Sequence, residues 1–302
     1  MNQLPERDLP PGRHHLLKEH LMTEIRRETG TPARVRTTWL RPALAAAAVA
    51  TAAAVTLVVL PASSGGGASG RQTDEAATAL LENIALAAEH AGVPSGIRDD
   101  QFVYIKSRDA YATPRAGGPA ELGPVHDREI WLSVDGRHRG LLEEDRPGNE
   151  HVTLEPTSPG SRRAADYRAL SKLPTDPDEM RDWLYEISAG EVDTERPDKD
   201  YAAFVLLGDL IRESLMPPKV SAALYRAAAG IPGVTLVRHV EDSTGREGVA
   251  VTRGSGDGSD QLIFDPKTYA FLGERQLDAK GQVTGVSAVL ERTVVDKAGE
   301  RP

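Results

Sequence analysis

The stretch VTLVRHVEDSTGREGVAVTRGSGDGSDQLIFDPKTYAFLGERQLDAKGQVTGVSAVLERTVVD, residues 234–296, decides how the folded part of this chain is read. Five runs in it (234–240, 247–253, 261–264, 269–277 and 282–296) are rich in Val, Thr, Leu and aromatics. Every gap carries turn formers: Ser243-Thr-Gly245, the glycines from Gly254 to Gly258, Asp265-Pro266, and Asp278 to Gly281. β-branched runs separated by such residues predict an antiparallel meander.

Working upstream, three helices precede the meander. Asp176-Pro177-Asp178-Glu179 has a cap, a proline at the first turn and an acid at the third position. Met180, Trp183, Leu184 and Ile187 then recur on one face until Gly190. Residues 200–215 form a second helix burying Phe204, Val205, Leu207, Leu210, Ile211 and Leu215, and Pro217-Pro218 opens a third that runs to Gly230. Earlier still, 101–106 and 128–134 read as strands. Asp135-Gly136 is a hairpin turn signal with 137–143 returning. Residues 112–125 and 144–160, rich in Pro and Gly, read as loops. Residues 74–91 form an amphipathic helix with Ala77, Leu80, Leu81, Ile84 and Ala88 on one face, stopped by Gly92 and Pro94. The expected class is α+β. Residues 74–296 make a domain with a curled antiparallel sheet and helices inserted midway, followed by a tail at 297–302.

Upstream of that domain the chain changes character. Residues 43–60 hold nine Ala, three Leu, four Val and two Thr, with no charge. As a helix they span about 27 Å, close to the roughly 30 Å of a bilayer's hydrocarbon core. With Trp39 and Leu40 at the interface, 39–60 is expected to be a transmembrane helix. Residues 61–73, rich in Gly and Ser, are expected to be a flexible stalk. Arg26, Arg27, Arg34, Arg36 and Arg41 precede the span, whereas only Arg71 follows it before Arg98. That asymmetry places the N-terminus in the cytoplasm and the C-terminal domain outside. Residues 1–42 carry eight Lys/Arg and five Asp/Glu, and the remainder 28 and 40, so a net of −9 hides segments of +3 and −12. The basic segment suits anionic inner-leaflet lipid. Two other readings stay open. A cleaved signal peptide has a shorter leader and apolar core, although Ala62-Ser63-Ser64 would accept cleavage. The Ala-rich run would also serve as a buried helix of a soluble protein.

Within the cytoplasmic segment, 1–38, Leu17, Leu21 and Ile25 form an apolar stripe on a short helix. Such a helix is marginal alone and needs lipid or a partner. The stripe rests on the membrane or docks a cytoplasmic protein. Both readings stand.

Three stretches carry a resemblance. DLPPGRHHLLKEHLM at 8–22, the Arg-flanked Ala-rich span, and Ile231-Pro-Gly-Val234 leading to Phe264-Asp-Pro-Lys-Thr268 resemble an actinobacterial family of single-pass membrane proteins often encoded near extracytoplasmic-function sigma factors. None of these motifs carries chemistry. The resemblance implies a regulatory role with a sigma factor or another regulator as partner. The order of elements in the outer domain also resembles the half-barrel of periplasmic lipoprotein carriers and of a sigma-regulatory periplasmic protein. That likeness implies a concave sheet around an apolar cavity plugged by helices, with lipid or another apolar ligand as partner. Trp131, Trp183, Phe204 and Phe264 would then line the cavity, although large aromatics of this kind are more often core.

Chemistry is sparse. With no cysteine the chain has no disulfide, thiolate zinc site or catalytic Cys. The eight histidines include His126 and His138, which could share a surface, but no pair has ligand spacing. Gly254 to Asp260 offers too few oxygens for calcium and no Lys-Ser/Thr ending for phosphate. Ser221 and Ser287 lack a nucleophile elbow, and Glu143-Glu144-Asp145 reads as a solvated acidic run. No enzyme activity, metal or cofactor is expected. The acidic outer domain argues against nucleic acid. The function expected is a single-pass envelope protein with an extracytoplasmic sensing or binding domain, an anti-sigma-like regulator in its sharper form. The alternative is an anchored carrier or binder of lipid without signalling. A reporter that works only in the cytoplasm should be active when fused after Arg36 and silent after Gly70, and the opposite pattern would sink this orientation.

Overall fold

In the computed structural model, the described residues are 74–302 apart from 116–117, 147–148, 159–160, 162–164, 193–197 and 257. The expected span, the stalk and the stripe of Leu17, Leu21 and Ile25 lie outside them. Among the described residues no helix is long and apolar enough to cross a membrane.

The chain enters through α1, Glu75–Glu89, where the Asp74 carboxylate accepts from the Ala76 N–H at 3.1 Å. Its buried face is Ala77, Leu81, Ile84 and Ala85, shifted slightly from the expected stripe. The strands β1 (Phe102–Arg115), β2 (Gly118–Leu122), β3 (His126–Ser133), β4 (Gly140–Glu144) and β5 (Val152–Leu154) come after it. Four helices are next: α2 (Tyr167–Leu170), α3 (Pro177–Ser188), α4 (Lys199–Glu213) and α5 (Pro218–Ala229). The meander closes the chain with β6 (Thr235–Glu241), β7 (Glu247–Ser255), β8 (Gly258–Phe264), β9 (Phe271–Asp278) and β10 (Val283–Val295). The class is α+β, with the helices inserted between two groups of strands.

All pairings are antiparallel, in the order β5-β4-β3-β1-β10-β9-β8-β7-β6, with β2 attached to β1 alone. The path ends at β5 and β6, so the sheet is an open ladder and not a closed barrel. Successive side chains alternate between its two faces. One face takes the helices. There Val251, Leu262 and Phe264 pack with α1, α3, α4 and α5, and Val103, Ile105, Ile130, Leu142, Val152 and Val289 form an adjoining cluster. The other face holds two smaller clusters, Phe102, Tyr104, Trp131, Leu141 and Val295, and Val240, Ala250, Ile263 and Leu272.

α4 is buried almost all round, which explains its run of apolar residues. Gly208 lets it approach the sheet: a Cβ there would come within 3.0 Å of Leu262 Cδ2. Gly273 in β9 serves the same purpose against β10, since a Cβ would run into the Ser287 carbonyl. The Asp176 cap is present, accepting from the N–H groups of Asp178 at 2.9 Å and Glu179 at 3.1 Å, with Pro177 in the first turn. The two motifs of the outer domain that prompted the family resemblance are structural. Asp265 accepts from Lys267 and Thr268 N–H at 2.9 and 2.7 Å and shapes the β8–β9 turn. Ile231 and Val234 are fully buried where α5 feeds β6.

Several expectations need correction. Residues 112–125 are not a loop throughout: β1 continues to Arg115 and β2 returns. Pro114 sits at the register irregularity between Thr113 and Arg115, and Pro119 lies in a strand with one partner, the positions where a missing N–H is tolerated. Within 144–160 a three-residue edge strand, β5, forms. Residues 297–302, the expected tail, lie against the sheet. They turn back so that the Trp131 indole N–H donates to the Glu300 carbonyl at 2.6 Å.

The helix-face core is organised around Phe264, which meets Tyr225 of α5 and Phe271 edge-on at 5.7 and 5.6 Å. Phe264→Ala should cost about 3–5 kcal/mol in urea unfolding. Leu86→Ala, at an exposed position of α1, should stay within about 0.5 kcal/mol, and equal losses would contradict this core assignment.

Candidate functional site

The helix-bearing face changes chemistry along β1. Inward positions run Val103, Ile105, then Ser107 and Asp109. Register sets Arg128 of β3 beside Ser107, Ser287 of β10 beside Asp109, and Glu274 of β9 beside Ser287. A polar band therefore crosses the sheet. α4 closes it with Asp209, Arg212 and Glu213. One Glu213 oxygen lies 3.0 Å from Arg128 Nη2 and 3.0 Å from Arg212 Nη2, and Arg212 Nε lies 3.6 Å from Glu274. Asp109 Oδ2 accepts from Tyr111 Oη at 3.0 Å and Ser107 Oγ at 3.3 Å. Burial acts to lower both guanidinium values, but the surrounding carboxylates, Glu213 foremost, raise them. Both arginines stay charged and locked. Asp109 Oδ1 and Ser287 Oγ are buried without a hydrogen-bond partner. The band has fixed charges of both signs but no nucleophile held by a base, so its chemistry is that of a brace between α4 and the sheet.

At the edge of the band lies a second pair. His126 Nε2 is 2.7 Å from Glu144 Oε1, and Asn149 Nδ2 donates to Glu144 Oε2 at 2.7 Å. Glu144 is 6 % exposed, so the expected solvated acidic run is interrupted by a buried carboxylate on β4. Burial pushes its carboxyl up, but His126, Asn149 and Arg128 outweigh that and hold it below the usual carboxylate range.

A cleft lies beyond the other end of the apolar cluster. Its wall is made by the end of α1 and the residues just after it (Ala88, Ala91, Val93), the end of α4 (Ile211, Leu215, Met216), and Ser221, Tyr225 and Arg292. Its volume is about 140 Å³. Arg292 Nη2 donates to the carbonyls of Ile211 at 2.7 Å and Arg212 at 3.1 Å, which caps the open end of α4. Among the described residues no carboxylate lies within 4.0 Å of Arg292, and its Nε is buried without a partner. Burial lowers its value, with only the Tyr225 hydroxyl acting the other way. Burial in turn pushes the Tyr225 phenol up to about 12, against the pull of Arg292 and Ser221. The cleft is thus lined mainly by apolar side chains, together with the Arg292 guanidinium and the Ser221 and Tyr225 hydroxyls, which bond each other.

None of the four aromatics expected to line a cavity lines this cleft. Trp131 is fully buried on the opposite face of the sheet. Phe204 and Phe264 are fully buried in the helix-face core, and Trp183 is half-buried beside it. His126 and His138 do not pair, since His138 bonds Asp135 at 3.0 Å. In the Gly254 to Asp260 hairpin, Asp260 turns inward and accepts from the Tyr201 hydroxyl. Among the described residues no three His, Asp or Glu side chains converge as metal ligands. The sequence reading missed Asp109, Arg128, Arg212, Glu213 and Arg292. The signal was polar residues at inward positions of strands and at the end of an otherwise apolar helix, and it needs the register to be seen.

No family model and no curated protein matches the chain. Among solved structures, MucB from the Pseudomonas aeruginosa MucA/MucB complex is 14 % identical with a TM-score of 0.28, over 72 % of this chain and 57 % of that one. A structure of MucB alone is 15 % identical at 0.30, over 74 % and 60 %. A LolA superfamily protein, NE2245 from Nitrosomonas europaea, is 10 % identical at 0.20, over 74 % and 94 %. The chain thus spans less than two thirds of those MucB chains. At such scores no residue role transfers, and the site is argued from its own geometry.

The Glu144 pair has a pH signature. Its folded value lies below the unfolded one, so the unfolded state binds the proton first and stability rises with pH across that window. The contribution is complete above about pH 4.3 and is lost as pH falls through the lowered folded value. Glu144→Gln should lose about 1–3 kcal/mol at pH 7 and flatten the dependence of the urea midpoint between about pH 5 and 3. An unchanged slope would remove Glu144 from this role.

Proposed function

We propose that this chain is a non-enzymatic, membrane-tethered protein whose extracytoplasmic domain senses an amphiphile with an acidic head. The observation that carries the reading is the cleft: apolar walls meet the half-buried guanidinium of Arg292, whose Nε has no hydrogen-bond partner. A cation in such surroundings favours an anion, and two nearby hydroxyls supply further hydrogen bonds. The apolar walls suit the carbons next to that head.

Size separates sensing from carrying. A cleft of about 140 Å³ is smaller than the roughly 300–1,000 Å³ of sites that enclose a drug-sized ligand. The helix-bearing face of the sheet, where a carrier would hold acyl chains, is occupied by α4 and the charged band. Only one end of an amphiphile fits, which supports recognition over transport. The Arg asymmetry about 39–60 supports the outward orientation, and the stripe of Leu17, Leu21 and Ile25 supports a cytoplasmic partner, such as a sigma factor, as the recipient of the signal.

Decanoate should raise the thermal midpoint of the full chain, by about 2.7 kcal/mol of stabilisation at a hundredfold excess over Kd, and decanol should not. Ser221→Phe, which fills the cleft, should abolish the shift, and Arg292→Lys should weaken it. Equal shifts with decanoate and decanol, or an undiminished shift in Ser221→Phe, would refute the reading.

A further inference from the structure

The sheet face away from the helices carries an aromatic floor: Phe102 and Tyr104 of β1, Trp131 of β3, Leu141 of β4 and Val295 of β10. Beside it stand two carboxylates. Register sets Glu129 of β3 directly opposite Glu143 of β4. Like charges at cross-strand positions repel, so this pair calls for a cation. Lys106 lies next to Glu129 in the register, and His151 Nδ1 is 3.2 Å from Glu143, but neither bridges the two.

The bridge comes from the end of the chain. Arg301 Nη2 donates to Glu129 Oε2 and to Glu143 Oε2, both at 2.6 Å, while its Nε faces both oxygens of Glu129 at 3.0 Å. The guanidinium carbon lies 5.4 Å from the Trp131 ring centroid, over its face. The preceding carbonyl, that of Glu300, accepts from the Trp131 indole at 2.6 Å. The Glu300 carboxylate closes the turn by accepting from the N–H groups of Asp296 and Lys297, each at 3.0 Å. The groove therefore reads an arginine and the carbonyl before it. Tyr104 completes the wall by donating to Glu129 at 2.5 Å.

This hold is of a kind that can open. Residues 296–302 add no strand to the sheet; Asp296 accepts from Arg98 at 2.9 Å and Gln101 at 2.8 Å, and beyond it Ala298 is the apolar side chain that packs on the aromatic floor. The Arg301 side chain is 53 % exposed, so its ion pairs are screened by salt and individually weak. Lifting the segment would bare Trp131 and leave two adjacent carboxylates without their bridge.

We propose that the groove between Trp131, Glu129 and Glu143 is a docking site for an arginine-bearing extended segment of a partner protein, and that residues 296–302 are a built-in competitor that occupies it at rest. Charge complementarity and the indole N–H define the partner: a peptide with an arginine preceded by an accessible carbonyl. A tethered competitor acts at an effective concentration near millimolar, so a free peptide at micromolar concentration does not displace it.

The test uses the full chain and a fluorescent peptide, KAGERP, copied from residues 297–302. The wild-type chain should give no change in polarisation with micromolar peptide. Arg301→Glu, which repels the segment from both carboxylates, should bind the peptide at least about tenfold more tightly. A KAGEAP peptide should not bind, and adding Glu143→Gln to Arg301→Glu should weaken binding. If Arg301→Glu does not fold, Arg301→Gln, which removes the bridge without repulsion, carries the same expectation. Absence of peptide binding in a folded variant, or equal binding to wild type, would overturn the proposal and leave the segment as a brace alone.

Discussion

Everything in this domain hangs on the pairing of β1 with β10. Phe102 meets Val295 and the ladder continues to Tyr111 and Gly285, so the first long strand and the last lie side by side. β3, β4 and β5 reach the rest of the sheet only through β1, and β6 to β9 only through β10. Contacts this distant in sequence form late and slowly, because the intervening loop must close first. The ladder also contains a bulge. Lys106 pairs with Glu291 but Ser107 pairs with Val289, leaving Leu290 as the extra residue. A one-residue slip exchanges the two faces of a strand. The bulge is what turns Val289 and Ser287 toward the helices along with Arg292, and it leaves Leu290 42 % exposed. Arg292 in the cleft and Ser287 in the charged band stand on opposite sides of this single irregularity.

Element types were legible where local chemistry settles them. Asp176-Pro177 announces a helix start because a carboxylate cap and a proline act within four residues. The meander was legible because Gly, Asp and Pro punctuate β-branched runs at short intervals. The misses share a cause. Pro114 and Pro119 read as breakers, yet proline costs a strand only a hydrogen bond, and β2 has one side unpaired. α2, at four residues, is too short to show a period. The candidate site was the least legible part. Arg292 sits in the polar run Glu291-Arg292-Thr293 of β10, and its cover depends on α4 arriving from about eighty positions away. Glu144 looked like one of three surface acids until the register put it across from Arg128.

The charged band has a cost that the fold accommodates. Burying two arginines and four carboxylates forfeits their hydration, and their mutual attraction returns part of it only in good geometry. An apolar band of equal volume would hold α4 at least as firmly. What the charges add is position. Glu213 can lie 3.0 Å from Arg128 of β3 while Arg212 lies 3.6 Å from Glu274 of β9 in one register of α4 along the sheet, whereas apolar contacts tolerate sliding. The end of α4 is thereby fixed, and with it Ile211 and Arg212, whose carbonyls take the Arg292 guanidinium. The brace and the cleft are two consequences of where α4 stops.

α1 joins the cleft to the N-terminal end of the described residues. Its last turn contributes Ala88 to the cleft wall, and its first turn begins at Asp74, directly after the stretch expected to be a stalk. What holds it in place is unevenly distributed. Arg226 of α5 reaches Glu82 at 3.1 Å and Glu89 at 3.3 Å, but those carboxylates are 49 % and 39 % exposed, so the pairs contribute little. The Asp74 N–H bonds the Val234 carbonyl at 3.0 Å and pins the first turn to the start of β6. The main restraint is apolar. Leu81 and Ile84, each about 1 % exposed, are worth roughly 1.5–3 kcal/mol apiece, with Ala77 and Ala85 adding less. That sum is small beside the core under α4. α1 is thus held to the rest of the domain by few large side chains, and it is the element that carries Ala88 into the cleft wall.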